Sequence, residues 1–386
     1  MRPSARSRSG WLAAGLLAVA VGPTSAQSLV REGNRWVQTI TGTGPALARL
    51  HVTCQGPVHL EAGGANGLSY TARLSVTART EAEARRILAQ AGVRAIASGE
   101  WSTLSAGGGP LTVDLSVQAP RLTDADITTS EGNVEANGVD GSLTINSQAG
   151  DVKCDRIRDA VRVITGGGDI QIGEAGGILR GATGGGRITV KSVRGDAVLE
   201  TAGGDIEVNS AGGSVRADTA GGAVRINSAG GSVTASTGGG PIVIGKAGGI
   251  VITRNMAGPV QVGAAPGVRS ESGTGAIRLT NIAGSMRVST AVGSIMASLL
   301  ASSPLSDSFL ATGNGDITVM IPSNLRVTIR AENDMADSPR RIVCDFPGVP
   351  VRMRGMQVVA EGPINGGGPL LRITGMGGTI FIRRQP

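Results

Sequence analysis

Few residues in this 386-residue chain have the types and spacing that chemistry requires. The two histidines, His51 and His59, lie eight positions apart, and no third metal ligand has a defined spacing to them. No Ser-His-Asp or Cys-His set stands out for nucleophilic catalysis. The sequence therefore predicts no catalytic, cofactor-binding or metal-binding residues, and it predicts that both histidines are structural.

The three cysteines leave at least one thiol unpaired. Cys154 occupies an apolar position of its repeat, where other repeats carry Val or Ile, so we expect it to pack as a small hydrophobic residue. Cys54 and Cys344 remain as a pair that could form a disulfide. Each alternates with apolar neighbours, however, which favours two buried free thiols.

Acidic and glycine-rich motifs resemble ion sites only superficially. Calcium-binding nonapeptide repeats need an Asp in each repeat, but Arg187, Ala223 and Pro241 occupy this position in three repeats. Glycine clusters such as Gly166-Gly167-Gly168 lack the Lys-Ser/Thr of a phosphate-binding loop. These motifs therefore indicate turns. An Asp follows the repeat glycine at four places: Asp151, Asp169, Asp205 and Asp316.

A nine-residue spacing of glycine dominates the chain. From Gly132 to Gly267, 15 of the 16 positions at this spacing hold Gly, and only Asp159 departs from it. Each Gly precedes an alternation of polar and apolar residues, which is typical of one short strand after one tight turn. We expect Gly in turns such as 211–214 because it adopts positive φ without steric cost.

The pattern predicts an all-β fold, a parallel β-solenoid with two nine-residue strand-turn units per coil. About ten coils stacked at about 4.8 Å would form a rod of roughly 50 Å. The spacing loses one residue near Pro266 and gains four around 302–308, and both changes should fall in loops. An antiparallel meander of nine-residue units is the alternative fold.

Four regions follow from these patterns. Residues 1–26 have the arginines, apolar run and small-residue end of a secretory signal peptide. Removal of this segment lowers the net charge from +7 to +4, because three arginines and no acids are lost. Residues 27–128 form a β-rich N-terminal cap with one helix, predicted over 81–91 after a Thr80–Glu83 capping box. Residues 129–320 are solenoid repeats, and residues 321–386 are the C-terminal solenoid end and cap.

The outward-facing residues of the repeats bear on partners. Basic residues are scattered among acids, without a basic run or interleaved aromatic residues, so no nucleic-acid partner is predicted. The mature chain has no predicted transmembrane segment.

The outward positions mix charges and apolar residues, in contrast to the clustered acids of polysaccharide-cleaving solenoids. They form one row of Glu135, Lys153, Gln171, Thr189, Glu207, Arg225, Val243 and Gln261, and a second of Thr144, Arg162, Arg180, Val198, Arg216, Thr234 and Ile252.

Three motifs resemble a bacterial family of exported or membrane-associated domains of unknown function that are described as putative adhesins. They are the segment Leu111-Thr112-Val113-Asp114-Leu115-Ser116-Val117-Gln118-Ala119-Pro120, the Gly-Asp-Ile units that start at Gly168, Gly204 and Gly315, and the ending Ile364-Asn365-Gly366-Gly367-Gly368-Pro369-Leu370-Leu371-Arg372-Ile373. The resemblance implies a β-solenoid at the cell envelope and supplies no catalytic residues.

The sequence favours a non-catalytic, exported β-solenoid that presents a repetitive surface for adhesion or cell-envelope scaffolding. The alternative is a carbohydrate-active solenoid enzyme that acts on polysaccharide. End-to-end assembly into filaments is a third interpretation, which caps at both ends disfavour. We expect glycan or protein partners in the periplasm, the cell envelope or the extracellular space, while the ligand, the coil handedness and the oligomeric state stay open.

Overall fold

The computed structural model of the chain describes residues 25–26, 29–300, 305–334 and 339–385. It is an almost entirely β structure with two long sheets, which confirms the predicted fold class. The predicted signal peptide lies largely outside the described residues. Its last two residues, Ser25 and Ala26, pair with Thr41 and Ile40.

Sheet A has 19 strands. They are β1 (Ser25–Ala26), β2 (Val30–Glu32), β3 (Arg35–Gly44), β5 (Val58–Ala62), β6 (Leu68–Thr77), β9 (Thr112–Ala119), β11 (Val134–Asn137), β13 (Val152–Asp155), β15 (Ile170–Ala175), β17 (Ile188–Val193), β19 (Ile206–Ala211), β21 (Val224–Ala229), β23 (Ile242–Ala247), β25 (Val260–Ala264), β27 (Ile277–Ile282), β29 (Ile295–Leu299), β31 (Ile317–Pro322), β33 (Ile342–Cys344) and β37 (Ile380–Gln385).

Sheet B has 18 strands and packs against sheet A. They are β4 (Arg49–Cys54), β7 (Gly92–Ser98), β8 (Trp101–Gly107), β10 (Asp124–Thr129), β12 (Ser142–Ser147), β14 (Val161–Thr165), β16 (Leu179–Thr183), β18 (Ala197–Thr201), β20 (Val215–Thr219), β22 (Val233–Thr237), β24 (Val251–Ala257), β26 (Val268–Thr274), β28 (Met286–Val292), β30 (Ser308–Asn314), β32 (Val327–Asn333), β34 (Val351–Arg354), β35 (Gln357–Ile364) and β36 (Leu370–Gly375).

Each coil contributes one strand to each sheet, because successive repeat units alternate between the sheets. Val134 pairs in parallel with Val152, and Leu143 pairs in parallel with Val161, so one coil comprises two repeat units. This pairing excludes the antiparallel meander. The apolar alternation of the stacked strands points inward, where aliphatic side chains from both sheets form one continuous core.

The two irregular spacings lie where the sequence predicts them. Val251 pairs with Val268, 17 positions later, and Ile295 pairs with Ile317, 22 positions later. The coil that contains Pro266 is therefore one residue shorter than the regular coil of 18 residues, and the coil that contains 302–308 is four residues longer. Pairing resumes in register after each change, so the apolar face stays inside.

The parallel stack continues beyond the glycine repeat at both ends. Eleven coils run from β10/β11 to β30/β31, and four further coils are β4/β5, β8/β9, β32/β33 and β36/β37. Fourteen steps of about 4.8 Å give a stack of about 67 Å. This stack is longer than the predicted rod because coils outside the repeat join it.

One coil at each end is stacked out of chain order. At the N-terminal end, β4/β5 lies between β8/β9 and β10/β11. At the C-terminal end, β36/β37 lies between β30/β31 and β32/β33. The last strands of the chain are therefore inside the stack, and the antiparallel hairpin of β34 and β35 covers the edge of β32.

The helix of the N-terminal region forms as the capping box predicts. Helix α1 spans Glu81–Leu88, and the Thr80 hydroxyl accepts a hydrogen bond from Glu83 N at 3.2 Å. It ends three residues earlier than predicted, and Gly92 begins β7. The helix buries Ala84 and Leu88 and packs against β3 and β6, and a short 3-10 helix at Pro339–Arg341 is the other helical turn in the described residues.

The repeat glycines are required for space. The prediction of positive φ at the 211–214 turn is wrong, because neither Gly212 nor Gly213 has φ in the left-handed region. A Cβ at Gly212 would lie 2.2 Å from the Arg194 carbonyl oxygen, and one at Gly222 would lie 2.0 Å from the Gly204 carbonyl oxygen. Stacked turns thus bring the backbone of one coil onto the Cα of the next.

Candidate functional site

The outward side chains form rows across both sheets, as predicted. Strand pairing places Glu135 beside Lys153 and Glu207 beside Arg225 on sheet A. These neighbours do not pair with each other: Arg225 contacts Asp205 at 3.4 Å, and Glu135 contacts His59 at 3.1 Å. The rows therefore form a mixed surface, and exposed ion pairs of this kind contribute little to stability.

The two histidines lie on different sheets and form no common site. His51 is on β4 of sheet B, and His59 is on β5 of sheet A. Each lies beside a carboxylate of the adjacent coil, Asp126 at 3.3 Å for His51 and Glu135 at 3.1 Å for His59. Among the described residues, no group of three or more His, Cys, Asp or Glu side chains could hold a metal ion.

His51 also takes part in a chain of contacts that sequence reasoning missed. Its Nδ1 lies 3.3 Å from Asp126 Oδ2, and its Nε2 lies 3.3 Å from Thr53 Oγ1. This order of groups matches a nucleophile, base and orienting acid. The three groups lie on the flat face of sheet B, where β4 pairs with β8 on one side and with β10 on the other. Backbone N–H groups are therefore used in pairing and are not free to stabilise an oxyanion.

The Asp residues of the Gly-Asp units connect adjacent coils. Asp169 Oδ1 accepts a hydrogen bond from Arg187 N at 2.7 Å, and Asp205 Oδ1 accepts one from Ala223 N at 2.8 Å. Asp151 and Asp316 make the same contact with Asp169 N and Thr379 N, both at 2.8 Å. These carboxylates therefore satisfy turn N–H groups of the neighbouring coil.

Buried threonines mark one of the two turns in the central coils. Thr201 Oγ1 donates to the Gly186 carbonyl oxygen at 2.9 Å and accepts from Gly204 N at 3.2 Å. Corresponding hydroxyls donate in the same way in four other coils, and the signal in the sequence is a Thr three residues before alternate repeat glycines from Gly168 to Gly240. The equivalent residues are Thr165, Thr183, Thr219 and Thr237.

All three cysteines are free thiols. Burial raises the pKa of Cys154 and of Cys54 to about 12. Cys344 is half-buried, and partial burial raises its pKa too. Cys54 is on the second coil of the stack and Cys344 is on the last, so a bond between them is sterically excluded.

A hollow of about 540 Å³ interrupts the flat face of sheet B where the irregular coils lie. We call it the sheet B hollow. Equivalent positions at the start of successive strands lie along it: Ile250, Gly267, Ser285 and Asp307 immediately precede β24, β26, β28 and β30, and Leu370 is the first residue of β36. The small residues Gly267 and Ser285 leave space between the larger side chains at either side. Its principal lining side chains are Ile250, Ile252, Arg269, Arg287, Phe309 and Leu370.

The next outward row supplies the polar and aromatic groups of the sheet B hollow. Arg269, Arg287 and Phe309 are adjacent on β26, β28 and β30. Arg269 pairs with Glu271 at 3.1 Å, whereas Arg287 is exposed and makes no side-chain hydrogen bond or ion pair with any described residue. Arg372 and Arg330 continue the row and share Glu332, at 3.3 and 2.8 Å.

Comparison with known proteins gives structural matches alone. No family model matches the chain, and no curated protein matches it. Within the described residues, no helix has the length and apolar character needed to cross a membrane.

The chain is similar to three solved structures at low TM-scores. A putative adhesin from Bacteroides fragilis is 11% identical, with 90% of this chain and 97% of that chain covered and a TM-score of 0.25. A putative adhesin from Parabacteroides merdae is 10% identical, with 73% of this chain and 95% of that chain covered and a TM-score of 0.25. A putative cell adhesion protein from Clostridium sporogenes is 8% identical, with 90% of this chain and 100% of that chain covered and a TM-score of 0.20.

Proposed function

We propose that this protein is a non-catalytic, exported binding rod whose repeated outward rows attach it to components of the cell envelope. The observation that carries the proposal is the alignment of solvent-facing side chains at one constant step over fifteen coils. Such a surface offers many equivalent weak contacts to a partner that is itself repetitive. Several contacts made by one rigid molecule bind far more tightly than one contact alone.

Export is part of this proposal, and it rests on the N-terminal segment. Cleavage after Ala26 would remove the two-residue strand β1 and leave β2 and β3 intact. N-terminal sequencing of the protein recovered from outside the cytoplasm tests this point. We expect Gln27 as the first residue, and a chain that retains residues 1–26 would contradict the proposal.

The experiment for function measures retention of the purified protein on immobilised envelope fractions and polysaccharides, with released sugar assayed in parallel. Retention without sugar release supports the binding rod. The matched control is Arg216→Gln, which changes one side chain of an outward row and leaves the core unchanged; a multivalent surface should retain this variant nearly as well. Absence of retention on every surface would overturn the proposal.

The catalytic alternative is an enzyme that acts on polysaccharide. One contact chain favours it, the Thr53–His51–Asp126 arrangement on sheet B. If it is correct, the protein should release acyl groups from an acylated polysaccharide, and His51→Ala should abolish that release while retention is unchanged. Release that survives His51→Ala would exclude this arrangement as its source.

A further inference from the structure

The sheet B hollow combines features that a flat, repetitive surface does not have. It contains an outward aromatic residue, Phe309. The preceding residues, from 102 to 308, include no Phe, Tyr or Trp. Ile250 and Leu370 line the hollow and are 52% and 37% exposed. A concave surface with apolar walls and a few convergent polar groups is typical of a ligand site.

The charges of the sheet B hollow are arranged for a single negative group. Arg287 has no partner among the described residues, and Arg269 has only the exposed Glu271. A guanidinium binds a carboxylate through two parallel hydrogen bonds, so an unpaired arginine beside a flat apolar surface suits a carboxylate on a ring-shaped ligand.

An acid in the same hollow limits the choice of ligand. Asp307 lines it, and Asp307 Oδ1 accepts a hydrogen bond from Leu370 N at 2.8 Å. Its second oxygen remains available to accept from a hydroxyl group, but its charge repels a dense polyanion. Hydroxyl groups, one carboxylate per ring and an apolar ring face occur together in uronic acid residues.

We propose that the sheet B hollow binds a uronic acid residue of an acidic polysaccharide. The sugar ring packs on Phe309 and the adjacent aliphatic side chains, its carboxylate binds Arg287, and its hydroxyl groups donate to Asp307. The proposal rests on the binding-rod function and names the class of ligand for one part of that rod.

The test measures the affinity of the full protein for uronate oligosaccharides of matched length, namely polygalacturonate, polymannuronate and polyguluronate, by titration calorimetry. Methyl-esterified polygalacturonate of the same length is the uncharged control, and polyphosphate is the dense polyanion. The variants are Arg287→Gln and Phe309→Ala. Arg180→Gln is the matched control, because Arg180 is an exposed, unpaired arginine of the same row, far along the stack.

We expect at least one uronate polymer to bind, with affinity lost on methyl esterification. Arg287→Gln should weaken binding about tenfold or more because a hydrogen bond between charged groups is lost, and Phe309→Ala should weaken it about tenfold or more because the ring loses its packing surface. Arg180→Gln should change affinity less than twofold. Equal weakening by Arg180→Gln, or tighter binding of polyphosphate that Phe309→Ala does not affect, would overturn the proposal. If no uronate binds while the protein is still retained on envelope fractions, the uronate site is wrong and the binding-rod function stands. If the protein neither binds uronates nor is retained on envelope fractions, both proposals are wrong.

Discussion

Two neighbouring glycines in one turn differ in how much space surrounds them. A Cβ at Gly222 would lie 2.0 Å from the Gly204 carbonyl oxygen, whereas a Cβ at Gly221 would meet no atom within 4 Å. We expect Gly222→Ala to lower the free energy of unfolding by about 1–3 kcal/mol because the stacked backbones must move apart. Chemical denaturation of both variants measures the difference.

Gly221→Ala serves as the control, since it adds the same methyl group one position earlier. It should leave stability unchanged or raise it slightly by restricting the unfolded chain. Equal destabilisation by the two variants would show that the turn needs the freedom of glycine and that the close approach of the coils is not the reason for Gly222.

The buried thiols give the protein a pH dependence in the alkaline range. The folded pKa of Cys154 is about 12, whereas an unfolded thiol has a pKa of about 8.5. Unfolded chains therefore lose the thiol proton first as pH rises. The stabilising contribution is fully present below about pH 8.5 and is lost as pH rises towards 12.

We therefore expect the urea midpoint to fall between pH 8 and pH 10.5, and to fall less in Cys154→Val, which has the side chain of equivalent positions in other repeats. Measurement of the midpoint over this pH range checks the difference between the two proteins. Identical curves for both would mean that Cys154 does not titrate on unfolding.

The whole coil, and not the single repeat unit, is the element that can be removed. Deletion of 204–221 joins Gly203 to Gly222 and preserves the Thr-containing turn, the sheet assignment and the strand register of all later coils. We expect this variant to fold, with circular dichroism and a thermal transition similar to those of the full chain.

Deletion of 204–212 is the matched comparison. It removes one strand and moves every later strand to the opposite sheet, so the buried threonines no longer meet the glycine carbonyl groups that accept their hydrogen bonds. This variant should be unfolded or aggregated. Normal folding of this single-unit deletion would contradict the assignment of two distinct turns per coil.

The regular part of the fold is readable from the sequence because each coil repeats the same local requirements. Glycine spacing locates the turns, alternation locates the strands, and spacing changes near Pro266 and 302–308 locate the irregular coils. The sheet B hollow is not readable in this way. Its groups Phe309 and Leu370 are brought together by a strand that returns to the stack 63 positions later, and this return has no local pattern.

At the scale of the whole molecule, the C-terminal segment completes the stack. Removal of residues 366–386 takes away β36 and β37, which leaves the outer strands β32 and β33 without their parallel partners and exposes the edges of β30 and β31. Exposed edges of this length favour intermolecular pairing. We expect this truncated protein to aggregate, as judged by light scattering after size-exclusion chromatography.

The deletion of 204–221 is the control for the truncation, because it also shortens the stack but retains both ends. It should elute as a single species. A soluble, monodisperse protein without residues 366–386 would show that these strands do not protect the edge, and protection would then have to come from β32–β35.

The position of the last two strands inside the stack also determines how the molecule responds to mechanical force. A terminal coil at the tip of a stack peels away by breaking one ladder of hydrogen bonds at a time. β36 and β37 instead pair with a strand on each side, so a pull on the C-terminal end must break two ladders together. A rod held by this end under tension would resist unravelling from the point of attachment.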